Sequence, residues 1–201
     1  MAIRPMEPAD VAGVVALQPL AFPPPFDPAL LWSAEHIESH LATFPEGQWV
    51  AVHSQEGILG SCSNTRISRG SLEGGDTWEE TVGGPFLQTF LPHGEILYGL
   101  DISVHPGFRR HGIGRALYQE RFRFVRSFGL AEYATSCRLP GFRASGVPDL
   151  AQYAEEVARE ERTDATLTPL LRIGLTYRGV AHNFMHDEES GHGAAKLGWR
   201  P

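Results

Sequence analysis

Apolar positions along this chain alternate in some segments and recur every three to four residues in others, and the change of period marks out the elements. Residues 2–4 read as a short first strand. Pro5, Glu7, Pro8 and Asp10 then mark a helix entry, with acidic side chains where a helix N-terminus favours them. Val11, Val14, Val15 and Leu17 give that helix an apolar face, and the pattern stops near Pro19. Segment 22–28, Phe-Pro-Pro-Pro-Phe-Asp-Pro, cannot be helical, because proline lacks the backbone donor and clashes with the preceding turn. A second helix is predicted over 28–41, and 48–53 with 58–68 read as a strand pair around the turn Gln55-Glu56-Gly57. Residues 69–94, with Trp78, Gly83-Gly84-Pro85 and Pro92, follow neither period. This stretch is too long for an ordinary hairpin loop, which suggests a role at a site edge or an interface.

The clearest strand covers 95–104, where Ile96, Tyr98, Leu100, Ile102 and Val104 alternate with other residues. His105-Pro106-Gly107-Phe108 ends it, and from Gly112 the period becomes helical. Ile113, Leu117, Phe124 and Phe128 share one side of that helix, and Gly129 supplies its stop. Glu132–Cys137 is another strand. The chain is irregular around Leu139-Pro140-Gly141-Phe142, then helical over 148–161 and again over 166–173, ending at Gly174. Strands over 175–185 and Ala194–Trp199, joined by an acidic, glycine-bearing loop at 187–193, complete the pattern.

Composition narrows the class. A chain of 201 residues suits one domain, or one domain with a large insertion, and 42% apolar content is enough for a core. The formal charge of −7 argues against a nucleic-acid binder held by a global positive field. A local basic cluster therefore stands out: Arg109, Arg110, His111, Arg115, Arg121, Arg123 and Arg126. Of these, Arg121, Arg123 and Arg126 read as a solvated helix face. Two cysteines are too few for a disulfide framework, the start does not read as a signal peptide, and no apolar run is long enough to span a membrane. The expectation is a cytoplasmic protein with neither nucleic-acid nor membrane partners.

The chemistry concentrates in the strand–turn–helix sequence Val104-His105-Pro106-Gly107-Phe108-Arg109-Arg110-His111-Gly112-Ile113-Gly114-Arg115-Ala116-Leu117. A helix start leaves about four N–H groups without intrahelical partners, and with the helix dipole they form an anion site. Glycine at 112 and 114 lets a phosphate approach the backbone. No Gly-Lys-Ser/Thr follows, so this is not a P-loop, and Leu117 stands where a dinucleotide fingerprint needs a small residue.

The stretch instead resembles the coenzyme-A motif of the GNAT (Gcn5-related N-acetyltransferase) superfamily, Arg/Gln-x-x-Gly-x-Gly/Ala, filled here by Arg109, Gly112 and Gly114. Leu97-Tyr98-Gly99-Leu100-Asp101-Ile102-Ser103-Val104-His105-Pro106, Arg138-Leu139-Pro140-Gly141-Phe142 and Asp187-Glu188-Glu189-Ser190 are similar to the acetyltransferase module fused in some bacterial chains to a nitrilase-like carbon–nitrogen hydrolase. The resemblance implies a single-domain α/β fold over 1–201, with irregular insertions near 69–94 and 138–165. It implies a mixed central sheet of about six to seven strands flanked by helices and splayed at the coenzyme site. It implies acetyl-CoA as co-substrate, no metal, and a small-molecule or peptide amine as acceptor. Backbone groups of Ile102, Ser103 and Val104 would pair with the pantetheine arm. Those of Arg110, His111, Gly112, Ile113, Gly114 and Arg115 would hold the pyrophosphate, and Arg109 completes the motif. A non-catalytic acyl-CoA-binding module is the alternative, and an exposed sheet edge near the C-terminus could pair two copies.

Proton transfer is less determined. A lysine-like amine with a pKa of ~10.4 is neutral about once in 2,500 at pH 7, so a general base is useful. The family's usual base position falls on Tyr98, a poor base near neutrality. Asp101 and Glu95 are the neighbouring carboxylates, and simple alternation puts both on the face opposite Tyr98. The family's usual proton-donor tyrosine is replaced by Leu170, leaving Tyr177, Tyr133 and Tyr153 as substitutes. Cys137 reads as a buried structural thiol. The Phe22–Phe26 proline segment and the 70–92 stretch are the natural acceptor walls, with Trp32, Trp49 and Trp78 able to line a pocket and Arg138 and Arg143 able to read an acidic acceptor.

Overall fold

The computed structural model describes residues 1–201. Strands β1 (Ala2–Pro5), β2 (Trp49–His53), β3 (Gly57–Ile67), β4 (Ile96–Val104), β5 (Glu132–Cys137), β6 (Thr176–Ala181) and β7 (Ala194–Trp199) form one seven-stranded sheet in the order β1-β2-β3-β4-β5-β7-β6. All neighbours are antiparallel except β4 and β5. The helices are α1 (Val11–Ala21), α2 (Ala34–Thr43), α3 (Arg69–Gly74), α4 (Trp78–Val82), α5 (Ile113–Ser127), α6 (Phe142–Ser145), α7 (Leu150–Ala158) and α8 (Leu167–Arg172).

The pleat of β2 shows how the faces divide. Trp49 and Ala51 pack into the larger core with Leu117, Phe124 and Val125 of α5 and residues of α7 and α8. Val50 between them packs on Val11 and Val14 of α1 and Ile37 of α2. α1 and α2 thus cover one face and α5, α7 and α8 the other. Both α2 and α7 start on side-chain caps. Ser33 Oγ accepts from His36 N–H (3.3 Å), and Asp149 Oδ1 from Gln152 N–H (2.7 Å).

Four sequence expectations change. α1 continues through Pro19 to Ala21, because the proline falls in the last turn, on the exposed side, and the Phe22 N–H still reaches the Gln18 carbonyl at 2.9 Å. The segment predicted as one helix over 28–41 is a single 3-10 turn at Pro28–Leu30 followed by α2, with the break where Ser33 caps. The aperiodic 69–94 stretch holds two short helices, α3 and α4, capped by Ser68 and Thr77. Along α5, Phe128 lies outside the buried stripe and is 56% exposed, whereas Arg121, read as solvated, is buried.

Candidate acyl-coenzyme A site

β4 and β5 pair only from Ile96↔Glu132 to Gly99↔Thr135. Beyond that point β5 stays on β7, through Ser136↔Lys196 and Cys137↔Ala195, while β4 stays on β3. The two parallel strands therefore part, and Leu100–Val104 presents an edge with no strand partner on the β5 side. The apex of the wedge is pinned from both faces. Thr135 Oγ1 donates to the Gly99 carbonyl (2.9 Å), and the Tyr98 hydroxyl donates to Ser136 Oγ (3.0 Å). From the α5 side the Tyr133 hydroxyl lies against Gly99 so closely that a β-carbon there would collide with it.

A bulge in β4 sets what faces this wedge. The β3 register runs Ser61↔Ser103, Cys62↔Ile102 and Ser63↔Asp101, then Asn64↔Gly99, leaving Leu100 unpaired. β3 alternates without interruption through this stretch, so Ile96, Tyr98, Asp101 and Ser103 all share the α1–α2 face. This corrects the alternation argument: Asp101 lies on the same face as Tyr98. Its carboxylate accepts from Ser103 Oγ (3.0 Å), which accepts from Gln18 Nε2 of α1 (3.0 Å). Gln18 Oε1 in turn accepts the Trp32 backbone N–H (3.4 Å). Burial pushes the Asp101 carboxyl above the usual carboxylate range, against the opposing pull of Ser103, Arg121, Gln18 and Trp32. Gln18 was not among the residues expected at this site, since it lies far along the chain and carries no motif, and Trp32, expected as a pocket wall, contributes its backbone N–H.

The other proposed proton carriers are placed differently. Glu95 is exposed at the start of β4 and accepts from the Arg69 N–H (3.0 Å). Tyr98 is 1% exposed, tied to Ser136, and pushed up by burial. Tyr177 lies on β6, separated from β4 by β5 and β7. Tyr133 packs under Gly99, and Tyr153 donates to Asp164 (2.9 Å) away from the wedge. Burial also raises the Cys137 thiol, which leaves it un-ionised and unreactive at neutral pH.

At the mouth of the wedge, Val104 leads through a 3-10 turn at Pro106–Phe108 into α5. Gly112 is the N-cap of α5, at φ 82°, with no side-chain cap. A β-carbon on Gly112 would meet nothing within 4 Å, and on Gly114 only Val104 Cγ2 at 3.9 Å, so no neighbouring side chain crowds the first turn at either glycine. Arg110 holds a left-handed conformation (φ 65°), which turns the chain toward α5. This is a cradle that fits a pyrophosphate. Arg109 is committed elsewhere: its Nη2 donates to the Ala21 carbonyl at the end of α1 (2.8 Å). Arg110, His111 and Arg115 are exposed around the turn, while Ile113 is buried beneath it.

A family model described as acetyltransferase (GNAT) family matches residues 12–146. This chain belongs to the GNAT acetyltransferase family. It is 30% identical over 201 residues, covering 88% of the relative, to the uncharacterized N-acetyltransferase YkwB of Bacillus subtilis (strain 168). It is 32% identical over 189 residues to the probable hydrolase YhcX of the same organism, of which it spans 36%. That match agrees with the likeness to the hydrolase-fused module. Among solved structures, the loading GNATL domain of CurA from Lyngbya majuscula superposes with a TM-score of 0.85 at 15% identity, over 99% of this chain and 96% of that one. GphF, a GNAT-like decarboxylase solved with isobutyryl-CoA, gives 0.77 at 22% identity over 100% and 99%. These likenesses show the fold.

The proline segment, with a cis peptide at Pro24-Pro25, faces the β6–β7 loop. A cavity of about 270 Å³ between them is lined by Pro25, Asp27, Pro28, His186, Asp187 and Glu188. Arg138 is not free to read an acidic acceptor. Its guanidinium bonds Asp187 (2.7 Å) and Glu189 (2.9 Å) and lies over the Phe26 ring at 4.6 Å. Trp49 is in the core against Phe124, whereas Trp32 and Trp78 meet at 6.0 Å between α2 and α4. No helix is long and apolar enough to cross a membrane.

Proposed function

We propose that this protein transfers the acetyl group of acetyl-CoA directly to a primary amine, small-molecule or peptide, with Asp101 as general base. The observation that carries the reading is the β4 bulge at Leu100, which turns the Asp101 carboxylate onto the α1–α2 face beside the wedge between β4 and β5. The N–H groups of Arg110 to Arg115 hold the pyrophosphate, and the free edge of Ile102, Ser103 and Val104 takes the pantetheine arm as an added strand would.

The amine nitrogen forms a bond to the thioester carbonyl carbon, the carbon–sulfur bond breaks, and the sulfur leaves as thiolate. Asp101 takes the proton that the nitrogen loses. A base whose affinity for protons is raised toward neutrality suits this step better than an ordinary aspartate. With Leu170 buried at the usual donor position and Tyr98 bonded to Ser136, the departing thiolate takes its proton from solvent.

A second reading is decarboxylation of a carboxylated acyl-CoA, in which the carbon–carbon bond to the carboxylate breaks and the α-carbon takes a proton. It is favoured by the same raised Asp101, whose neutral form is a proton donor, and by the likeness to a GNAT-like decarboxylase.

The test supplies acetyl-CoA with a panel of amines and follows free CoA, and in parallel supplies malonyl-CoA and follows carbon dioxide and acetyl-CoA. Amine-dependent CoA release supports acetyl transfer. Carbon dioxide release without an amine requirement supports the second reading. A thermal shift with acetyl-CoA and no turnover of either kind overturns both in favour of a binding module. Saturation near 100 times Kd adds about 2.7 kcal/mol, a shift of roughly 5–10 °C for this size.

A further inference from the structure

Arg121 is the largest fully buried side chain in the protein, 1% exposed, in the middle of α5. No carboxylate lies within ion-pair distance of it. A charge that is costly to bury without a counter-ion is kept here on carbonyls and rings instead. Its Nη2 donates to the carbonyls of Asp101 and Ser63, and its guanidinium lies over the rings of Tyr118 (4.7 Å) and Tyr133 (5.4 Å). Ser63 and Asp101 are the last paired residues before the register skips Leu100. Arg121 therefore reaches through from the α5 face to the pair of carbonyls that border the bulge, and holds them from the side opposite the Asp101 carboxylate.

We propose that Arg121 is a positioning residue for this site: its guanidinium holds the β4 bulge in place and so aims Asp101 at the acceptor face. The inference rests on the reading of Asp101 as general base. Both bonds run from one nitrogen, Nη2, which the long planar guanidinium, lying over the Tyr118 and Tyr133 rings, carries to the two strands; a shorter lysine reproduces neither that reach nor that stacking. The same charge beneath the Asp101 peptide favours the carboxylate form. Other groups around Asp101 contribute little charge at neutral pH. Gln18, Ser103 and Trp32 do not titrate, and burial keeps the Cys62 thiol on β3 neutral. His40, packed against Trp32 at 5.0 Å, is pushed down to about 4 by burial and is uncharged.

The test compares wild type, Arg121→Lys, Arg121→Met and Asp101→Asn in three readouts. These are the Asp101 carboxyl titration by carbon-13 NMR, assigned with Asp101→Asn, acetyl-CoA binding by calorimetry, and the pH profile of kcat/KM with the best amine. The expected result for Arg121→Lys is a loss of about 100-fold in kcat, as for a catalytic group displaced by an ångström, with the Asp101 midpoint little changed. The expected result for Arg121→Met is the same loss together with a raised Asp101 midpoint, because the charge that favours the carboxylate is gone. Both should leave acetyl-CoA affinity within a few-fold. If Arg121→Lys folds and keeps wild-type kcat and pH profile, the proposal is overturned and Arg121 only fills the core, whether or not Arg121→Met folds. If wild type shows no amine turnover, the acetyl-transfer reading fails and the positioning inference falls with it, whereas amine turnover that Arg121→Lys leaves untouched overturns the positioning inference alone.

Discussion

Replacing Asp101 by asparagine separates chemistry from architecture at this site. The asparagine Oδ1 can still accept from Ser103 Oγ, so the chain of contacts from Gln18 through Ser103 to residue 101 survives. What is lost is the acceptor for the amine proton. General-base catalysis contributes typically 10²–10⁴-fold, so kcat/KM should fall by that factor, equivalent to ~2.7–5.5 kcal/mol in the barrier. Acetyl-CoA affinity should not change, because the pyrophosphate turn and the free β4 edge are untouched. Stability supplies an independent sign. The folded protein raises the proton affinity of Asp101, so its favourable contribution is full below the unfolded pKa and lost as pH rises through the folded one. The asparagine variant should therefore gain in Tm relative to wild type as pH rises from about 4 to 8. CoA release with a fixed amine, and thermal melts across that range, measure both. A variant with kcat/KM within about threefold of wild type, and with the same acid limb, would falsify the assignment of Asp101 as base.

Three further outcomes follow from particular contacts. Gly112→Ala should weaken acetyl-CoA binding in calorimetry while costing about 1–2 kcal/mol of stability through its positive φ. Gly57→Ala, at φ 75° with equally open space at the start of β3, is the matched control: the same stability loss with no change in affinity. Arg138→Met strands the buried Asp187 and should cost about 3 kcal/mol at neutral pH by denaturant melts. Asp187 is held below the usual carboxylate range by Arg138 and Ser190 despite its burial. Its stabilisation is thus present above ~3.9 and lost as pH falls through the depressed value, and the gap between variant and wild type should close there. Tyr98→Phe removes the bond to Ser136 and should cost about 1 kcal/mol with turnover changed only a few-fold; a 100-fold loss in kcat would instead make Tyr98 part of the proton path.

The fold was legible where a local rule is also the global one. The alternation over 95–104, the change to helical period at Gly112 and the uncapped glycine turn each carry their meaning within a few residues, and all reappear in β4 and α5. The site was less legible because it depends on an irregularity that alternation cannot show. One unpaired residue, Leu100, reverses the facing of everything after it in β4, and nothing in the composition of 95–104 marks that position. Arg121 misled for a related reason. A helix bearing Arg121, Arg123 and Arg126 looks like a basic face, yet only the first points inward, where bulge carbonyls await a donor. Gln18 and Trp32 reach the site from α1 and the segment before α2, contacts that belong to tertiary packing alone.

The arginines of the coenzyme turn divide in a way that bears on how the two substrates meet. Arg109, the residue that completes the motif, spends a donor on the Ala21 carbonyl, where α1 gives way to the proline segment. A side chain holding that carbonyl fixes the end of α1 relative to the pyrophosphate turn, and α1 also carries Gln18 to the Asp101 network. The mouth of the wedge and the base are therefore braced to one helix. On the proposed reading, charge neutralisation of the pyrophosphate falls to the backbone of the α5 first turn and to Arg110 and Arg115, both of which are exposed. Exposed charges are screened over about 10 Å at 0.1 M salt, whereas N–H groups of a helix start act at contact distance. Acetyl-CoA affinity should thus fall only modestly between low and moderate salt, and the geometry of Gly112 should matter more than any one of the arginines around it.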